Sequence, residues 1–205
     1  MSGTFKAWWA TDVDGKVNVE LCDVADADLP ANEVTVAVKY STVNYKDGMA
    51  VQGNKSKIMR SLPMAPGIDY AGVVEASDSP DYSIGDEVVL TGWGVGETVS
   101  GGLSQRARAK ADWLVKKPDG LTLQQCMAIG TAGFTAMMSV LALEDAGVKP
   151  GDGDVIVTGR RAASALSPSP CWPIWVTALP PPRAGRANMT ICGDWALHPL
   201  CRDRN

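Results

Sequence analysis

Residues 33–43 read Glu33-Val34-Thr35-Val36-Ala37-Val38-Lys39-Tyr40-Ser41-Thr42-Val43. Val34, Val36 and Val38 alternate with Thr35, Ala37 and Lys39, the period of two expected of a strand with one buried face. The flanking sequence repeats the theme. Residues 4–9 and 17–22 alternate more loosely around Asp14-Gly15, a dipeptide suited to a two-residue hairpin loop. Pro63, Pro66 and Gly67 mark a loop before a strand-like run, Asp69–Glu75, and a turn at Asp78–Asp81. Gly85-Asp86 leads into a strand at Glu87–Leu90, and Gly92, Gly94, Gly96, Gly101 and Gly102 form a glycine-rich loop. Residues 102–109 and 113–116 read as further strands. Short strands with frequent turns predict a small β-barrel.

The pattern changes at Leu121. Leu123–Ile129 and Ala132–Glu144 read as helix, with apolar Phe134, Met137, Met138 and Leu141 and a stop at Gly147. Val155-Ile156-Val157 is a short, wholly apolar run of the kind buried on both faces in a parallel sheet. A barrel, then a helix, then a buried strand before a turn makes the expected fold class α/β, with an α+β N-terminal part.

Bulk properties narrow the field. The chain has 205 residues, 45% hydrophobic and 20% charged, with a net charge of −4. That length allows a sizeable core, and the acidic balance argues against nucleic acid as the main partner. No run of 18 apolar residues and no leader-like N-terminus are seen, so neither a membrane span nor export is expected, and a cytoplasmic protein is. The five cysteines show no CxxC spacing and the single histidine is His198, so neither a disulfide framework nor a metal site is expected.

The composition breaks at Gly159. Residues 1–159 hold 13 Lys and Arg against 21 Asp and Glu, whereas residues 160–205 hold six Arg, no Lys and only Asp194 and Asp203. Seven of the 13 prolines, including Pro180-Pro181-Pro182, fall in that last stretch, which shows no helix or strand period. One reading is a disordered Pro/Arg-rich tail. A sharper one is translation in a shifted frame. Taking the last base of each codon with the first two of the next, Cys171 through Val176 must give L-A-x-[LM]-G, and Asn188 through Ala196 must give [HY]-D-x-[LM]-[RW]-x-L-G. From Gly159 onward the same frame permits A-A-G-G-V-G and then S-V-A-V-A-L. A glycine-rich turn opening an apolar helix is the phosphate cradle of a βαβ unit, whereas the visible Arg160-Arg161 stretch lacks glycine, so its charges count as accidental.

Four segments carry a resemblance: Ser41–Asp47 (STVNYKD), Pro66–Gly72 (PGIDYAG), Leu90–Glu97 (LTGWGVGE) and Ile129–Ala136 (IGTAGFTA). Together they are similar to the YhdH/AcuI family of acrylyl-CoA and quinone reductases, within the medium-chain dehydrogenase/reductase superfamily. The likeness runs across residues 1–159. It implies a GroES-like barrel over 1–120, the first helix and strand of a truncated NADP-binding Rossmann domain over 121–159, and an aberrant, disordered tail over 160–205. It implies NADPH as cofactor and reduction of an activated C=C bond, as in an acryloyl-CoA-type enoyl thioester, or of a quinone, in a full-length form that is a homodimer. The chain as written is expected to be inactive; the alternative is a non-catalytic GroES-like binding module. Zinc members of the superfamily carry G-H-E where this chain has Gly67-Ile68-Asp69, so a zinc-independent enzyme is implied.

The resemblance makes Tyr45, Asp47 and Asp69 the catalytic candidates, and Asn44, Tyr45, Thr131 and Gly159 the cofactor-binding ones. Tyr45 offers a phenol to cofactor or substrate oxygen, against a core-filling tyrosine. Asp47 and Asp69 could order a cleft, against capping or turn roles. Asn44 is as readily a turn former, and Thr131 a helix cap. Trp93 could shield a site from water or fill the core. Lys46 and Arg60 could meet a CoA phosphate, against solvated surface. Cys126 reads as a buried helix residue.

Overall fold

The computed structural model describes residues 3–52 and 58–149. The expected strand at 155–157, Gly159, Arg160, Arg161 and the 160–205 stretch lie outside the described residues.

Strands β1 (Thr4–Val13) and β2 (Lys16–Ala25) pair antiparallel with Val13 opposite Lys16. The two residues between them, Asp14 (φ 53°) and Gly15 (φ 75°), both take positive φ, as a loop matched to the right-handed strand twist requires. Asp12 Oδ1 accepts the Gly15 N–H at 2.8 Å and closes the turn. Phe5, Ala7 and Trp9 point inward from β1 onto Val24, Leu29 and Ala65.

The remaining strands are β3 (Val34–Ser41), β4 (Asp69–Ser77), β5 (Glu87–Thr91), β6 (Arg106–Ala109) and β7 (Val115–Lys116). They form one sheet in the order β6-β3-β4-β5-β7, every pair antiparallel. The hairpin is stitched to this unit by backbone bonds: Trp8 N–H to Leu103 O at 2.9 Å, Gln105 N–H to Lys6 O at 2.9 Å, and a reciprocal pair between Ala10 and Met64. The strand expected over 102–109 is confined to 106–109, because residues 101–103 spend their N–H groups on the 65–67 loop. A 3₁₀ turn at Ala111–Trp113, not legible in the sequence, leads into the two-residue β7.

Alternation divides the sheet into two faces. Val34, Val36, Tyr70, Val74, Val88 and Leu90 point to one side and close a core with Val95, Ala107, Ala109 and Leu114. Ala71, Val73 and Val89 point to the other, where Leu123, Cys126 and Met127 cover them. Burial on both faces explains why residues 69–74 form a nearly continuous apolar run. Each fully buried valine or leucine here contributes about 1.5–3 kcal/mol.

Two helices complete the described residues: α1 (Tyr45–Val51) and α2 (Leu123–Asp145). Helix α2 is broken at Gly130 (φ 49°, ψ −163°), between the two segments that the sequence pattern predicts. By length and composition α2 is apolar enough to cross a membrane, with a mean hydropathy of 1.8. The Gly130 break and the burial of Leu123, Cys126 and Met127 against the sheet instead mark its first segment as core.

The first compact unit therefore runs from Met1 to Thr131, past residue 120, and the second begins at Ala132. In the second unit the helix ends at Gly147 (φ 87°), where the Gly147 and Val148 N–H groups return to Glu144 O and Leu143 O, a Schellman closure.

Candidate active site around two buried carboxylates

Asn44 stands at the N-cap of α1 in extended conformation, and Asp47 three residues on is the N3 residue. Asp47 Oδ2 accepts the Asn44 backbone N–H at 2.8 Å, the arm of a capping box that reaches back from the first turn. The other oxygen, Oδ1, accepts the Ile68 N–H at 3.0 Å. One carboxylate, 1% exposed, thus ties the start of α1 to the loop entering β4. Where zinc members place a ligand side chain, this chain uses the Ile68 backbone.

Asp69, the first residue of β4, is fully buried. Its Oδ2 accepts the Thr131 N–H at 2.8 Å, and both its oxygens lie 3.4 Å from Asn44 Nδ2. Asn44 Nδ2 also donates to Asp47 Oδ2 at 3.2 Å. One amide thus stands between two carboxylates. Only its NH₂ end suits that place, since the carbonyl end would confront acceptors. Burial pushes the Asp69 carboxyl above its ordinary range, and Asp47 nearby adds to the push. The Thr131 N–H and side chain and the Asn44 amide oppose it without cancelling it.

The break at Gly130 supplies the Thr131 N–H. In a continuous helix that group would bond four residues back; here it turns to Asp69. Only glycine fits the break, since a Cβ at position 130 would lie 2.8 Å from Thr42 Cγ2 and 3.1 Å from Asp69 Oδ2.

The glycine-rich loop is a junction of backbones. A Cβ on Gly96 would lie 2.8 Å from the Gly67 carbonyl carbon, and one on Gly101 would lie 2.1 Å from Gly67 O. Lys46 Nζ pairs with Glu97 Oε1 at 2.7 Å and ties α1 to this loop. Trp93 (φ 57°) is 61% exposed, so it does not fill the core.

The structure gathers Asn44, Asp47, Asp69 and Thr131 into one hydrogen-bonded cluster. Tyr45 follows Asn44 at the head of α1 and is 83% exposed, so it does not fill the core either. Gly159 lies outside the described residues. Lys46 is committed to Glu97, while the Arg60 residue is exposed. Cys126 is 6% exposed, and burial pushes its thiol pKa up, away from a nucleophile. The capping role of Asn44 and Asp47 had a signal in the sequence, the N-x-x-D spacing ahead of a short helix.

Comparison with known proteins assigns residues 30–119 to the alcohol dehydrogenase GroES-like domain. The chain is 56% identical over 145 residues to acrylyl-CoA reductase AcuI of Ruegeria pomeroyi, covering 71% of this chain and 44% of that protein. The crystal structure of Escherichia coli K-12 YhdH with bound NADPH matches with a TM-score of 0.76 and 48% identity, over 80% of this chain and 51% of that one. Bacillus subtilis YhfP with bound NAD matches with a TM-score of 0.74 and 41% identity, over 80% and 49%. The chain thus spans about half the length of the relatives it matches. The sequence motifs, the GroES-like match over residues 30–119 and these relatives agree: over its described part the chain is a homologue of the YhdH/AcuI reductases.

Proposed function

We propose that this chain carries the barrel part of an NADPH-dependent reductase that acts on the activated C=C bond of an acryloyl-CoA-type enoyl thioester, or on a quinone. The observation that carries this reading is the exposed Tyr45 phenol next to the firmly bonded Asn44. Tyr45 adjoins Asn44, whose amide is fixed by Asp47 and Asp69. The identity to acrylyl-CoA reductase supports the substrate class. Bound NADPH would supply the hydride.

The chain's own residues orient and donate. Tyr45 offers its O–H to the thioester oxygen, which gains negative charge as the β-carbon accepts hydride. Asn44, Tyr45 and Thr131 form the rim on which the cofactor's polar edge would rest; the described residues fit that role as hydrogen-bonding groups. Asp47 and Asp69 are positioning residues. Both are 1% exposed or less and their oxygens are occupied by the hydrogen bonds above, so they fix Asn44 and Thr131 without touching substrate. The full-length protein works in the cytoplasm as a homodimer on a small-molecule substrate, without zinc.

A shifted frame from the Gly159 codon belongs to the same proposal, since it would restore the glycine-rich phosphate turn. Resequencing the DNA across codons 155–166 tests it directly. The functional test compares the chain as written with a frame-repaired protein for NADPH oxidation with acryloyl-CoA and with a quinone. The repaired protein should turn over acryloyl-CoA and the chain as written should stay at background. Inactivity of the repaired protein on both substrates would overturn the reductase reading. It would favour the non-catalytic binding module, for which the separate core of residues 1–131 is the favourable observation.

A further inference from the structure

Trp93 is the one indole of the glycine-rich loop, and its backbone is in the left-handed region (φ 57°) between Gly92 (φ 85°) and Gly94 (φ 74°). A bulky residue with positive φ is an outlier, and such strain persists only where the surroundings enforce it. Here they do. Val95 is anchored in the core at 2% exposure. The Gly92 N–H donates to Ile68 O, and the Glu97 and Thr98 N–H groups both return to Gly94 O. Folding this loop would be easier with glycine at 93, yet the chain presents an indole with 61% of its surface in solvent.

The exposed ring is not isolated. Trp93 and Trp113 stack with centroids 6.4 Å apart and planes 13° from parallel. Lys110 Nζ lies 5.4 Å from the Trp113 centroid, and among the described residues no carboxylate pairs with it. The result is an aromatic pair with a cation over the face of Trp113, its Trp93 end held by a rigid loop. Such a pair suits a planar heteroaromatic ring with attached anionic groups: the ring stacks and the cation meets the phosphates. The pair also sits at the end of the sheet that holds the buried carboxylates, since Thr91 pairs with Asp69 and Trp93 is two residues further on.

We propose that Trp93, backed by Trp113 and flanked by Lys110, binds the adenine ring of the phosphorylated adenosine end of a CoA thioester. This rests on the reading of the substrate as a CoA thioester. It goes beyond that reading by assigning a recognition site for the part of the substrate remote from the reacting bond. Binding energy gathered there would hold the acyl end near Tyr45 and change KM more than the chemical step.

The test uses the full chain and adenosine 3′,5′-bisphosphate as probe, titrated by calorimetry. The wild-type chain should bind it. Trp93→Gly, which relieves the backbone conformation and should not lower the melting temperature, should weaken binding by about 5- to 150-fold. Trp93→Phe should retain most of it. Lys110→Ala should weaken binding a few-fold and flatten its salt dependence. No binding by the wild-type chain, equal binding by Trp93→Gly, or Trp93-dependent binding of a quinone in place of the bisphosphate would each overturn the proposal. The two readings fail separately. If the bisphosphate binds at Trp93 but the frame-repaired protein does not reduce acryloyl-CoA, the adenosine site stands and the reductase falls. If the repaired protein reduces acryloyl-CoA with KM unchanged by Trp93→Gly, the reductase stands and the adenosine site falls.

Discussion

Replacing Gly130 with alanine tests the joint between α2 and the buried carboxylates. Two costs add. The backbone at φ 49° and ψ −163° is open to glycine and nearly closed to other residues, which by itself costs about 1–3 kcal/mol. The new Cβ would also meet Thr42 Cγ2 at 2.8 Å and Asp69 Oδ2 at 3.1 Å, and forcing a methyl into a packed site costs about 1–3 kcal/mol more. The expected loss is therefore about 2–6 kcal/mol, a large part of the ~5–15 kcal/mol that stabilises an ordinary domain. Urea unfolding of wild type and variant, followed by tryptophan fluorescence, should show the midpoint fall at constant slope. A companion variant, Thr42→Ser, removes Cγ2 and should recover about 1 kcal/mol in the Gly130→Ala background while doing little alone. A Gly130→Ala variant within about 0.5 kcal/mol of wild type would refute the reasoning, because neither the backbone break nor the contact with Asp69 would then be real.

Three further outcomes follow from the same cluster and the core behind it. Asp47→Ala strands the Asn44 and Ile68 N–H groups in a buried site and should cost about 2–4 kcal/mol, read from urea midpoints, with Asp47→Asn costing less. Asp69 has its folded pKa raised by burial, so the native state holds its proton more tightly than the unfolded chain. Its contribution to stability therefore declines as pH rises from the ordinary carboxylate range through the raised native value, and stays low above it. Asp69→Asn cannot titrate, so its stability relative to wild type should climb across that window; a difference flat in pH from 4 to 8 would contradict the raised pKa. The Tyr70 hydroxyl is fully buried with no hydrogen-bond partner among the described residues. Tyr70→Phe should raise stability by about 1 kcal/mol, seen as a higher melting temperature, and a loss would show that the hydroxyl has a partner.

Much of the architecture was legible in local pattern. Strict alternation at 34–38 marked β3, and Asp14-Gly15 marked a two-residue hairpin loop because its geometry needs two positive φ angles. The two helical stretches on either side of Gly130 were read as separate segments, as they are. Helix α1 was not, since seven residues carry too little periodicity, and the N-x-x-D cap that starts it reads equally well as a turn. That Leu123, Cys126 and Met127 cover the second face of the sheet was not legible, since it is a pairing between residues about fifty positions apart.

The likeness to the YhdH/AcuI reductases and the candidate set Asn44, Tyr45, Asp47, Asp69 and Thr131 were within reach of the sequence, because motifs are local strings. The burial and partners of each candidate were not. Asp47 and Asp69 are both acidic residues in motif segments, and nothing local distinguishes a carboxylate facing substrate from one bonded to a neighbouring backbone. Only the tertiary structure brings Ile68 and Thr131 N–H groups to them and leaves Tyr45 in solvent. The same holds for Trp93 and Trp113, whose stacking depends on how two loops of one sheet approach. The sequence by itself determined which residues are present and the local conformations they favour. Burial and partnership are sums over neighbours distant in the chain, and those only the folded structure decided.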